Sequence, residues 1–130
     1  MSIATDGLAD YVTQLVARTQ EGDIGWSPVS PSAFAAVRDT ASGKKRMTLT
    51  RARRPGKEIG GAMEMSLQAR GERGADFLFQ VESLAPDKHV ELTIDTRERP
   101  GLTQAFEGLF NAARSSVDAQ SARILKELVG

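Results

Sequence analysis

Residues 77–83 read Phe-Leu-Phe-Gln-Val-Glu-Ser, residues 85–88 read Ala-Pro-Asp-Lys, and residues 90–96 read Val-Glu-Leu-Thr-Ile-Asp-Thr. Apolar and polar residues alternate in both long segments. Phe77, Phe79 and Val81 fall on one face of the first, and Val90, Leu92 and Ile94 on one face of the second. A period of two is the signature of a half-buried strand, and the short turn between the segments predicts an antiparallel hairpin. Upstream, Met63–Arg70 alternates in the same way, with Met63, Met65, Leu67 and Ala69 on one face, and Gly71-Glu72-Arg73-Gly74 supplies a turn. Three such segments at about ten-residue spacing predict an antiparallel meander.

The same reading extends in both directions. Phe34–Asp39 is a short strand candidate, Thr40-Ala41-Ser42-Gly43 a turn, and Lys45–Arg53 a second strand. In that second strand Met47 and Leu49 oppose Thr48 and Thr50, so the two strands pair as a hairpin. Pro55–Gly61, with three glycines and a proline, reads as a loop. Near the N-terminus, Leu8, Tyr11, Val12, Leu15 and Val16 form one helical stripe over residues 6–20. Thr5 or Asp6 can cap its start and Gly22 can end it. The segment from Gly22 to Pro31 is a loop in which Ile24 and Trp26 are expected to point inward. After Pro100 the period becomes helical again, through Leu102, Phe106, Leu109, Phe110, Ala113 and Val117, then Ile124, Leu125 and Leu128. Ser115 followed by Asp118 resembles a capping box, which favours two helices divided near Ser115–Ser116. The sum is an α+β chain forming one domain over residues 1–130. The expected architecture is a two-layer sandwich of an N-terminal helix, about five antiparallel strands and one or two C-terminal helices.

Thr19, Gly22, Ile24 and Trp26 make up a T-x-x-G-x-I-x-W pattern after an amphipathic helix. This pattern resembles one found in small uncharacterised bacterial α+β proteins. There it is followed by a sheet and by C-terminal segments similar to Leu109-Phe110-Asn111-Ala112-Ala113-Arg114 and Ile124-Leu125-Lys126-Glu127-Leu128. The resemblance spans most of the chain and implies the same order of elements. It implies no activity, cofactor or catalytic residue, and residues 44–57 lie outside its pattern.

The chain of 130 residues contains no cysteine, which removes disulfide scaffolds, thiol nucleophiles and cysteine zinc sites. No basic residue precedes Arg18 and no run of about 18 apolar residues occurs, so neither a signal peptide nor a membrane span is expected. The expected setting is the bacterial cytoplasm.

Sequence signals for catalysis are sparse. His89 is the single histidine, placed in a turn without a nucleophile beside it. No Gly-x-Ser-x-Gly, His-Glu-x-x-His or EF-hand pattern occurs. Glu64, Glu82, Glu91 and Asp95 lie on or beside strands, where paired carboxylates can tune each other, but a solvated sheet face is ordinarily filled with charge. Gly56-Lys57-Glu58-Ile59-Gly60-Gly61 lacks the spacing of a phosphate-binding loop. No metal and no cofactor is expected.

Charge is distributed unevenly. Lys plus Arg and Asp plus Glu both number 17. Yet residues 44–57 hold seven bases and no acid: Lys44, Lys45, Arg46, Arg51, Arg53, Arg54 and Lys57. The flanking residues 1–43 and 58–87 hold eleven acids against four bases. A basic hairpin of this kind docks on phosphates or carboxylates, protects an edge strand, or pairs with its own acidic flanks. No aromatic residue stands between Lys44 and Lys57, which weakens base stacking as its purpose. The expectation is a non-catalytic binding or adaptor module, not an enzyme, whose partner is another protein bound through these seven residues. The alternatives are a nucleic-acid-binding protein using the same residues and, after it, a small enzyme using strand carboxylates. Val117, Ile124, Leu125 and Leu128 are either part of the face packed on the sheet or, if the terminal helix projects, a seam between two copies.

Overall fold

The computed structural model describes residues 3–53 and 75–130, and the side chains of 7–52 and 75–130. Helix α1 spans Ile3–Gln20. Five strands follow: β1 (Ser27–Ser30), β2 (Ala33–Thr40), β3 (Gly43–Arg53), β4 (Ala75–Ala85) and β5 (His89–Asp95). A 3-10 turn at Pro100–Leu102 leads into helix α2 (Thr103–Val129). Neighbouring strands are antiparallel in the order β1-β2-β3-β4-β5, a simple meander. This is the expected α+β architecture. The expected strand Met63–Arg70 and the loop Pro55–Gly61 lie outside the described residues.

Register assigns each side chain to a face. Phe34, Leu49, Phe79 and Ile94 stand in one row across β2 to β5, and Ala36, Met47 and Val81 in the next. Both helices pack on this face. Phe34 and Phe77 meet Phe110 of α2 with ring centroids 5.1 and 5.8 Å apart, and Phe79 meets Phe106 at 5.2 Å. Val12, Ile24, Trp26, Leu102, Leu109 and Ala113 complete the buried cluster. A fully buried Phe or Leu contributes about 1.5–3 kcal/mol through removal of apolar area from water, so this cluster is what holds helices and sheet together. The opposite face carries Val37, Thr48, Thr50, Leu78, Gln80 and Thr93, half-buried or exposed.

Four local features differ from the sequence expectations. First, α2 is one continuous helix of 27 residues, not two. Ser115 and Ser116 lower helix propensity only slightly, and neither glycine nor proline occurs in the helix from Leu109 to Val129. Second, Tyr11 is 68% exposed rather than close to the core, since Val12 takes the buried position of that turn. Third, β5 buries only Ile94, while Val90 and Leu92 remain 55% and 43% exposed. The register explains Val90, whereas Leu92 keeps the helix-facing row of Val81 and is exposed because β5 is the edge strand of the sheet. Val81 pairs with Leu92 but Glu82 pairs with Val90, leaving Glu91 as an extra residue, a β-bulge that reverses the alternation beyond it. Ser27–Ser30 also forms a short exposed edge strand inside the expected loop.

Two turns fix the path of the chain. The β2–β3 turn closes at Gly43, whose φ is +131° and whose missing side chain leaves room for the Ala85 carbonyl oxygen. Any Cβ there would collide with that oxygen, so only glycine fits. The α1–β1 connection is closed by hydrogen bonds. Trp26 Nε1 donates to Thr19 Oγ1 at 2.9 Å, and Thr19 Oγ1 donates to the Leu15 carbonyl at 2.8 Å. Gly22, at φ +86°, turns the chain between them. The T-x-x-G-x-I-x-W residues therefore form a latch that seats Ile24 and Trp26 in the core.

Candidate functional site

The basic strand β3 is central in the sheet, and alternation splits its cations between two faces. Lys45 and Arg51 share the helix-covered face with Met47 and Leu49, while Arg46 lies on the opposite face with Thr48. Each described cation of β3 near the β2–β3 turn has an acidic neighbour. Lys44 Nζ lies 3.7 Å from Asp39 Oδ1, Lys45 Nζ 2.5 Å from Glu91 Oε1, and Arg46 Nη2 3.0 Å from Glu82 Oε1. Lys44, Lys45 and Arg46 are therefore neutralised within the chain. Arg53 contributes the last residue of β3, but its side chain, and all of Arg54 and Lys57, lie outside the described residues.

Arg51 is placed differently. Its guanidinium carbon sits 4.9 Å from the centroid of the Phe110 ring, and that of Arg114, one turn on in α2, sits 5.1 Å from the same centroid. The two carbons are therefore no more than about 10 Å apart. Stacking on an aromatic face orients a guanidinium while leaving its edge donors free. Among the described residues neither arginine has a carboxylate within ion-pair distance. Sequence reasoning placed Arg51 among the candidates and missed Arg114, which reaches Phe110 because residues four apart share a helix face.

Beyond this arginine pair, α2 leaves the body of the protein. Residues 121–130 are all exposed, among them Ile124, Leu125, Leu128 and Val129 at 58–89%. Val117, which packs partly against the core, connects this surface to the buried stripe of Phe106, Phe110 and Ala113. Ile124, Leu125, Leu128 and Val129 lie outside the buried cluster, so they add nothing to the packing of the body.

Among the described residues, two grooves beside the helices stand out. One, of about 560 Å³, lies between the end of α1 and the outer side of α2. Small side chains dominate its wall, including Gly22, Gly108, Ala112, Ser115 and Ala119. It has shape, but no floor of large apolar residues and no convergent charge. The other, of about 470 Å³, opens beside α1 where the helix-facing side of the sheet extends past the helices. It is floored by Leu15, Met47, Phe79 and Val81 and rimmed by Arg38, Lys45 and Glu91.

The carboxylates with altered acidity are explained by their cations. Glu91 is held below the ordinary glutamate range by the hydrogen bond from Lys45, against a smaller opposing effect of desolvation. Asp95 is lowered by the side chain and then the backbone N–H of Arg97, whose guanidinium it binds with Nη2 to Oδ2 at 2.7 Å. Glu82 faces Arg46 across the open face, and Glu64 lies outside the described residues. His89 Nε2 is 3.5 Å from Glu91 Oε2, with no serine or threonine hydroxyl bonded to it among the described residues. Those residues contain no group of three His, Asp or Glu positioned to hold a metal ion, and no helix among them is long and apolar enough to cross a membrane.

Fold and surface together define an open-faced α+β sandwich whose reactive chemistry is cationic groups set beside apolar surface. Compared with protein-family models, with curated proteins and with solved structures, the chain matches none.

Proposed function

We propose that the protein is a non-catalytic binding module whose partner is another protein carrying an acidic, amphipathic segment. The observation that supports this reading is the free end of α2. Four large apolar side chains stand in water there, and at their root Arg51 and Arg114 share Phe110 with no carboxylate neighbour among the described residues. An apolar stripe beside two oriented guanidinium groups fits a segment that presents apolar residues and carboxylates together, because Arg forks bind carboxylates bidentately. The basic strand enters this surface through Arg51, with the backbone of Arg53 two residues further along. Lys44, Lys45 and Arg46 have partners already, so recruiting them to phosphates would require breaking three ion pairs. These pairs reduce the net positive charge the strand offers to a phosphate backbone, which favours a protein over a nucleic acid. The proposed setting is the bacterial cytoplasm, in keeping with a cysteine-free chain.

A photo-cross-linking residue at position 125 or 128 in cells, with position 48 on the open face as control, identifies the partner. Calorimetry with the purified partner then compares the wild type with Arg51→Gln, Arg114→Gln and Leu125→Ser. Each is expected to weaken binding about tenfold, the scale of one lost charge-assisted hydrogen bond or buried apolar contact. Anisotropy with labelled single- and double-stranded DNA and RNA across about 50–300 mM salt provides the contrary outcome. Micromolar nucleic-acid binding with a steep salt slope, lost in Arg51→Glu, would replace this reading with the nucleic-acid one.

A further inference from the structure

We propose that the groove beside Arg38 binds a small amphiphilic monoanion, a carboxylate with an unbranched apolar tail. The argument begins with register. Arg38 and Lys45 are directly opposed across β2 and β3, on the side of the sheet that faces the helices. Like charges in directly opposed positions disfavour the pairing. Only one of the two is compensated. The bulge at Glu91 delivers its carboxylate to Lys45, whose side chain is 13% exposed and fully committed to that pair. Arg38 has no ion pair among the described residues. Its one hydrogen bond runs from Nη1 to the Asp23 carbonyl at 2.9 Å, which fixes the guanidinium and leaves its other donors available.

The groove therefore holds two cations and one anion, a single uncompensated positive charge. A monoanion balances it, whereas a dianion such as a phosphate monoester requires a second free cation, and Lys45 is already engaged. Below the rim, Leu15, Met47, Phe79 and Val81 form an apolar floor of the size that takes a small ligand. Methionine in that floor adapts to a flexible chain. A carboxylate bound to Arg38 places its tail along this floor, so head and tail are both satisfied at one site. The site is separate from the arginine pair at Phe110 and does not depend on it.

Decanoate, 1-decanol and acetate are the probes, titrated below micelle-forming concentrations into the full chain and followed by amide chemical shifts and calorimetry. Decanoate is expected to saturate and to move the amides of Arg38, Lys45, Met47 and Phe79. 1-Decanol should bind about tenfold more weakly, and acetate should leave the spectrum unchanged, because each lacks one of the two contacts. Arg38→Gln should lower decanoate affinity about tenfold without changing that of 1-decanol. Val81→Phe, which fills the floor, should weaken both. Circular dichroism of each variant separates loss of binding from loss of fold, and Val81→Phe keeps the test decisive if Arg38→Gln unfolds. Arg51→Gln and Arg114→Gln should bind decanoate as the wild type does, which keeps this test separate from that of the protein partner. The proposal is overturned by absence of saturable shifts at these amides, by shifts confined to another surface, or by an Arg38→Gln variant that binds decanoate undiminished.

Discussion

Thr19 shows how one hydroxyl can join a helix end to a core. It accepts a hydrogen bond from a buried indole N–H and donates its own to the Leu15 carbonyl. Replacing Thr19 with Val leaves the Trp26 N–H without an acceptor at a position 1% exposed, and a buried unsatisfied donor costs about 1–3 kcal/mol. Thr19→Val is therefore expected to lower the unfolding free energy by that amount. Adding Trp26→Phe, which removes the orphaned donor, should make the double variant less destabilised than the two single losses combined. Urea denaturation of the four proteins in a double-mutant cycle measures the coupling. A purely additive result would show that the hydroxyl does not serve the indole. The sequence placed Ile24 and Trp26 in the core because they alternate with small residues in a loop. It marked Thr19 as part of the T-x-x-G-x-I-x-W pattern but not its role, since a threonine in the last turn of a helix reads as surface until its partner is located seven residues on.

Strands and helices were legible where one face is covered and illegible where an edge or an end is free. The alternation of β3 and β4 gave the right inward set, Met47, Leu49, Phe77 and Phe79. In β5 the same rule failed for Val90, because alternation in a sequence contains no trace of a bulge in the pairing, while Leu92 keeps the inward row but stands exposed on the edge strand. The bulge has an electrostatic consequence. It brings Glu91 to Lys45 with His89 alongside, so the Glu91 carboxyl titrates below its ordinary value of 4.5. Asp95 on the same strand is lowered by Arg97. A carboxylate whose folded value is lowered contributes stability above its unfolded value and loses it as the pH falls through the folded value. The urea midpoint is therefore expected to be steady around neutrality and to decline on acidification below about pH 4.5. Glu91→Gln should flatten that decline while reducing stability near neutrality, and a slope unchanged in this variant would remove the Lys45 pair as its origin. Charge patterning identified the basic strand but not its state. Acidic flanks in the sequence allow pairing, and only register shows that Asp39, Glu91 and Glu82 each reach a different cation.

Across the whole molecule, the division between core and free surface falls within α2. Its first half supplies Phe106, Leu109, Phe110 and Ala113 to the interior, while residues 121–129 are all exposed. The apolar stripe runs through both halves, so the sequence left two readings open for its distal part, packing on the sheet or a seam between copies. The stripe alone cannot choose, because the outcome depends on where the sheet ends beneath the helix. This division predicts opposite responses to substitution in one element. Leu109→Ala should lower the unfolding free energy by about 2–5 kcal/mol, the cost of a core cavity. Leu125→Ser and Leu128→Ser should each change it by less than about 0.5 kcal/mol, as expected for side chains without folded-state contacts. Amide hydrogen exchange should show the same boundary, with slow exchange through Ala113 and fast exchange beyond Ser121. Denaturation at two protein concentrations makes the test complete. If the serine variants lose stability, and the wild-type midpoint rises with concentration, a second copy covers the stripe in solution and the proposed partner segment competes with self-association. If neither occurs, the end of α2 is free in the isolated protein, and its four apolar side chains remain available to a different chain.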